Sequence, residues 1–161
     1  DEPPAGRDAA DGVDGAAGCE GIRAVGLRSG IMHKCSGGNM VLDQAFLDTV
    51  FPAERTDAFF DALFGGAEEG AYDIRLVCRN VSADRAELAF ELHQRPGKCL
   101  VCNLTYGLPQ VFQRHPVLNV AGVARAVAEK LGWAAGSPWK LGSTQEKSRE
   151  LHCIPFVIER A

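Results

Sequence analysis

Tyr72-Asp73-Ile74-Arg75-Leu76-Val77-Cys78-Arg79 and Ala86-Glu87-Leu88-Ala89-Phe90-Glu91-Leu92-His93 alternate apolar and polar residues along their length. Successive side chains of a strand point to opposite faces, so a period of two predicts two strands with one covered face each. Tyr72, Ile74, Leu76 and Cys78 form that face in the first, and Leu88, Phe90 and Leu92 in the second. Asn80, Ser82 and Asp84 supply the turn chemistry between them. Beyond Pro96-Gly97, the stretch Cys99 to Tyr106 repeats the alternation with Leu100, Cys102, Leu104 and Tyr106 on one side. The expectation is an antiparallel meander of three strands.

Upstream, Leu42 to Phe64 carries helical spacing interrupted by Pro52. Proline has no amide hydrogen and clashes with the preceding turn, so two short helices or a kinked one should result. Thr56 is the expected cap of the second piece, with Phe59, Phe60, Leu63 and Phe64 burying one face and Gly65-Gly66 ending it. Further upstream, Ile22, Val25, Leu27, Ile31 and Met32 predict a first strand or hairpin over 21–33, ahead of Cys35-Ser36-Gly37-Gly38. Residues 1–18, rich in Asp, Ala, Gly and Pro, have too little to bury and read as a flexible acidic tail, with one domain over 19–161.

Downstream, Asn119 can cap a helix in which Val120, Val123, Ala124, Val127, Ala128 and Leu131 share one face and Gly132 ends the run. A polar loop from Trp133 to Arg149 then leads to a last strand. Ile154, Phe156 and Ile158 make one face of it and Leu151, Cys153 and Val157 the other. Pro155 cannot donate to a ladder, which places this strand at an edge or a bulge. The fold class is therefore α+β: an antiparallel sheet of about five strands with helices packed on one face.

The chain has 17 basic and 21 acidic residues, a formal charge of −4, and its basic residues are scattered. Nucleic-acid binding needs a positive stripe that displaces counterions, so that class is set aside. No run approaches the roughly 20 apolar residues of a membrane helix. Six cysteines, Cys19, Cys35, Cys78, Cys99, Cys102 and Cys153, suggest a disulfide framework and an oxidising compartment. The opening Asp1-Glu2-Pro3-Pro4 would suit a mature form after removal of an export leader. If the last strand lay beside 98–106, Cys99 could bond Cys153; neighbouring first strands would bring Cys35 to Cys78, leaving Cys19 for Cys102.

Cys99-Leu100-Val101-Cys102 is a C-x-x-C motif, expected here as two structural cysteines because it falls in a strand pattern rather than at the start of a helix after a βα turn. A zinc site would need two further ligands, for which Cys153 with His152, or His33 with Cys35, are the candidates. His33, His93, His115 and His152 are dispersed, and His152 and Cys153, adjacent in a strand, face opposite sides. Asn80-Val81-Ser82 and Asn103-Leu104-Thr105 match the glycosylation acceptor pattern. No nucleophile elbow, zinc-protease motif, dinucleotide fingerprint or phosphate loop occurs.

Tyr106, Leu108, Phe112, Trp133 and Trp139 flank the helix that follows Asn119, and the connection Leu104 to Val117 is long for a strand–helix link. Loop aromatics of this kind can line a ligand pocket. The expectation is an exported domain, periplasmic or extracellular, that binds a protein or small ligand without catalysis or a cofactor. The alternative is a thiol-redox or zinc-binding protein built on Cys99 and Cys102.

Overall fold

A computed structural model describes residues 42–103 and 107–161. The expected tail, the first strand, Cys19, His33, Cys35 and Tyr106 lie outside the described residues. The first described helix is α1 (Gln44–Val50), whose first turn is closed by the Asp43 carboxylate accepting from the Phe46 N–H at 2.8 Å. Phe51 and Pro52 break the helical run, and α2 (Glu54–Phe64) follows. Gly65, at a φ of 79°, ends α2 in the left-handed conformation that glycine adopts without steric cost.

Thr56 does not cap α2. Ala53 holds that position, and Thr56 is turned into the protein at 1% exposure. Its hydroxyl accepts from the Ile74 N–H at 3.1 Å and lies 3.4 Å from the Ile74 carbonyl, to which it can donate, tying α2 to the sheet. Phe59 and Phe60 are buried as expected, whereas Leu63 and Phe64 are 44% and 60% exposed.

β1 (Tyr72–Val81) and β2 (Arg85–Gln94) form the expected antiparallel hairpin, with Leu76 opposite Phe90 and a bulge between Cys78 and Asn80. The meander stops there. Residues 100–103 form a short helix, α3 (Leu100–Asn103), and the expected third strand is absent at those positions. Two further helices follow, α4 (Leu108–Arg114) and α5 (Val120–Lys130). The Asn119 side chain accepts from the Gly122 N–H at 3.2 Å, so the expected cap of α5 is present. The stretch expected as loop from 133 to 149 holds two short strands, β3 (Trp139–Leu141) and β4 (Gln145–Ser148). β5 (Leu151–Glu159) ends the sheet in sequence but not in space.

The sheet order is β1-β2-β5-β3, with β4 also paired to β5, and every pairing is antiparallel. β5 is thus interior, contrary to the expectation drawn from Pro155. The ladder tolerates the proline because of where its missing donor points. A strand residue's N and carbonyl O point to the same side, and the Pro155 carbonyl accepts from Gly142 N–H at 2.7 Å, on the β3/β4 side. There β3 pairs with 156–158 and β4 with 151–153, so Pro155 falls in the gap between them. Its position costs no ladder hydrogen bond to β2.

The covered face carries Ile74, Leu76, Leu88, Phe90, Leu92, Ile154, Phe156 and Ile158, packed with residues of α1, α2, α4 and α5 in one core. Phe90 is its hub, with ring centroids 5.3 Å from Phe51, 5.7 Å from Phe112 and 5.4 Å from Phe156. Removing such a ring leaves a cavity as well as lost transfer energy, so Phe90→Ala should lower stability by about 3–5 kcal/mol. Phe64→Ala, on an exposed position, should stay within about 0.5 kcal/mol. Urea denaturation of both variants checks the contrast, and comparable losses would contradict the core assigned here.

Candidate functional site

The site is the turn between β2 and α4. Gln94 closes β2, and the Arg95 N–H donates to the Ala71 carbonyl at 2.9 Å, the last backbone link to the sheet. Pro96 and Gly97 then reverse the chain. Gly97 has a φ of 73° and the Lys98 N–H donates to the Arg95 carbonyl at 3.1 Å, the form of a type II turn with proline first and glycine second. The chain enters α3 at once. Its early N–H groups are satisfied locally, Leu100 by the Gln94 side-chain carbonyl at 3.1 Å and Cys102 by the Cys99 sulfur at 3.2 Å.

Cys99 and Cys102 are bonded to each other, with their Cα atoms 5.4 Å apart. This replaces two expected pairings, Cys99–Cys153 and Cys19–Cys102. The reason is topological. β2 has β1 on one side and β5 on the other, so no strand position remains for residues 99–103 beside it, and one helical turn brings both sulfurs together. Both cysteines of the bridge are exposed, while Leu100 between them is fully buried and anchors the turn in the core. Cys78 is also in a disulfide, and its partner lies outside the described residues. Cys153 is a free, buried thiol, so the expectation that all six cysteines are bridged does not hold.

Arg95 fixes the near side of the turn. Its guanidinium donates to Asp57 at 2.6 Å, Asp73 at 2.7 Å and the Ala67 carbonyl at 2.7 Å, and lies 5.5 Å from the centre of the Phe60 ring. Burial works against its charge, but the hydrogen bonds and charges of Asp73 and Asp57 outweigh that and hold the group above its ordinary range. One side chain thereby links α2, the turn Ala67–Glu69 and β1 to the chain four residues before Cys99.

Beside this turn, Phe60, Leu63 and Phe64 of α2 and Leu108 and Val111 of α4 line a small cleft of about 180 Å³, with Glu69 the one charged residue in its wall. Phe60 and Phe64 stack at 6.0 Å. Of these residues, sequence alone singles out only Leu108 as a ligand contact. Phe60, Leu63 and Phe64 read as core, because helical spacing does not tell a buried face from its exposed end; the one signal is Phe64 falling immediately before Gly65.

The remaining aromatics do not converge on that cleft. Phe112 is fully buried between Phe59 at 5.8 Å and Phe90 at 5.7 Å, Trp133 is 5% exposed, and half-buried Trp139 packs on Phe156 at 6.0 Å. The opposite face of the sheet carries a shallow groove lined by Arg79, Glu87, Glu91, Lys147, Cys153 and Pro155 among others. Glu91 there receives Arg79 at 2.6 Å and His93 at 2.9 Å, and Cys153 lies 3.9 Å from the Gln145 side-chain oxygen. His152 faces the core instead, buried and with both ring nitrogens unpartnered, so it does not meet Cys153.

Among the described residues no group of three or more His, Cys, Asp or Glu is arranged to hold a metal ion, and no helix is long and apolar enough to cross a membrane. No family model, curated protein or solved structure matches the chain.

Arg95→Met keeps an aliphatic stem over Phe60 and removes both charged hydrogen bonds. Asp57 and Asp73 are more than half exposed, so screening limits the loss to about 1–2 kcal/mol. The urea midpoint of the oxidised protein measures it. An unchanged midpoint would mean that this cluster does not fix the turn.

Proposed function

We propose that the protein is an exported domain, periplasmic or extracellular, in which Cys99 and Cys102 exchange disulfide and thiol with a partner. The observation that carries this reading is the exposed bridge across C-x-x-C with the Cys102 N–H directed at the Cys99 sulfur. Exchange needs an accessible sulfur for in-line attack and a leaving thiolate that its surroundings favour. The Cys102 N–H, directed at the Cys99 sulfur, is a donor placed where negative charge develops when that sulfur leaves.

The step balances without a further reagent. A partner thiolate attacks the Cys99 sulfur, forms a mixed disulfide and expels Cys102, which takes up a proton. A second partner thiolate then attacks its own sulfur in that mixed disulfide and expels the Cys99 thiolate. The partner's two thiols are oxidised to a disulfide, and the Cys99–Cys102 bridge is reduced by the same two electrons.

A second reading, a binding domain without catalysis, is favoured by the exposed apolar cleft. Mixing oxidised protein with a glutathione redox buffer and quenching with acid separates the two. Exchange predicts an equilibrium between bridged and reduced Cys99/Cys102 that is reached within minutes, and a glutathione adduct at Cys99 in the Cys102→Ser variant. A bridge that stays closed in reduced glutathione, or an adduct no faster in the folded variant than in the same variant unfolded, would leave the binding reading alone.

A further inference from the structure

We propose, resting on the exchange reading, that the cleft of Phe60, Leu63, Phe64, Leu108 and Val111 seats an apolar or aromatic side chain of the polypeptide whose thiols are exchanged. Three observations support one site for the cleft and the bridge. First, the bridge and the cleft share a wall: Arg95 covers Phe60, and the N–H of Leu100, between the two cysteines, is held by Gln94, which pairs with Tyr72, a lining residue of the cleft. Four residues span at most about 14 Å, so the bridge lies within that distance of Arg95. Second, the exposed large apolar residues among those described are Leu63 at 44%, Phe64 at 60% and Val101 at 51%, two at the cleft and one between the two cysteines. Leu63 and Phe64, neighbours on α2, form an exposed apolar spot that a partner's side chain can cover.

Third, the size and charge of the cleft select the occupant. About 180 Å³ is below the roughly 300–1,000 Å³ of small-molecule sites and suits a side-chain anchor. Glu69, the one charged residue in the wall, favours a basic neighbour in the partner. An extended peptide rises about 3.3 Å per residue, so a cysteine within about four residues of the anchor can reach the bridge. The substrate class is thus an unfolded or extended polypeptide with an apolar residue, a basic neighbour and a nearby cysteine.

The experiment uses the full oxidised chain and three thiols: a peptide carrying Phe, Lys and a cysteine four residues on, the same peptide with Asn for Phe and Ser for Lys, and glutathione. Opening of the Cys99–Cys102 bridge is followed by mass spectrometry, and binding of the first peptide with its cysteine replaced by serine is followed by fluorescence anisotropy. The expected result is at least tenfold faster opening by the apolar peptide than by the polar one. In the double variant Leu63→Ser, Phe64→Ser that advantage and the anisotropy signal should both be lost, with glutathione unaffected. Equal rates for the two peptides, or an advantage that survives in the double variant, would overturn the proposal. If no thiol opens the bridge, the exchange reading fails while anisotropy still decides the cleft: binding lost in the double variant supports it, and absent or unchanged binding overturns it.

Discussion

The pairing of β5 with β2 is the constraint on which the rest of the structure depends. It joins residues 85–93 to residues 151–159 in continuous antiparallel register, from Arg85 opposite Glu159 to His93 opposite Leu151. Phe90 and Phe156 stack across it at the centre of the core. Because the contact joins distant parts of the chain, everything between the two strands must be accommodated as an excursion: one cysteine turn, two helices and two short strands. α4 and α5 cover the face that this pairing creates, and β3 and β4 share the far edge of β5 around Pro155.

The same constraint determines the chemistry of the cysteines. With β1 on one side of β2 and β5 on the other, the chain after Gln94 has no place beside β2 and leaves the sheet. The turn at Pro96-Gly97 takes it out, and the Gln94 side chain and the Cys99 sulfur close the start of a single helical turn. Cys99 and Cys102 then face each other rather than the two sides of a strand. Cys153, on the uncovered face of β5 opposite Glu91, is left without a bridge. An exposed bridge in a surface turn and a buried free thiol in a strand are thus two results of one topology.

Much of the architecture is legible in the sequence wherever a residue's role is local. Alternation in β1 and β2, the break at Pro52, the left-handed Gly65, the Asn119 cap and the apolar stripe of α5 all follow from neighbouring residues. What escapes is long-range. Leu100, Cys102 and Leu104 alternate as a strand would, but whether a strand forms depends on a free edge, which no local pattern reports. Pro155 suggests an edge strand because the gap between β3 and β4 is invisible from sequence. Thr56 looks like a cap because it stands near a helix start, yet its hydroxyl serves the backbone of Ile74. At the site, the C-x-x-C motif is visible but its partner choice is not, and Leu63 and Phe64 cannot be separated from the buried Phe59 and Phe60 on the same helix.

The bonding partner of the Cys99 sulfur separates an interior β5 with an exchangeable surface bridge from a sheet stapled through β5. Tryptic mapping without reductant, after alkylation of free thiols in denaturant, reads it directly. Cleavage after Lys98 and Arg114 releases both cysteines of the motif in one peptide, and cleavage after Arg149 and Arg160 releases Cys153 in another. The expected result is a peptide 99–114 lighter by two hydrogen atoms than its reduced form, and a separate peptide 150–160 alkylated at Cys153. A cross-linked pair of these two peptides would mean that Cys99 is bonded to Cys153 and that the surface bridge does not exist.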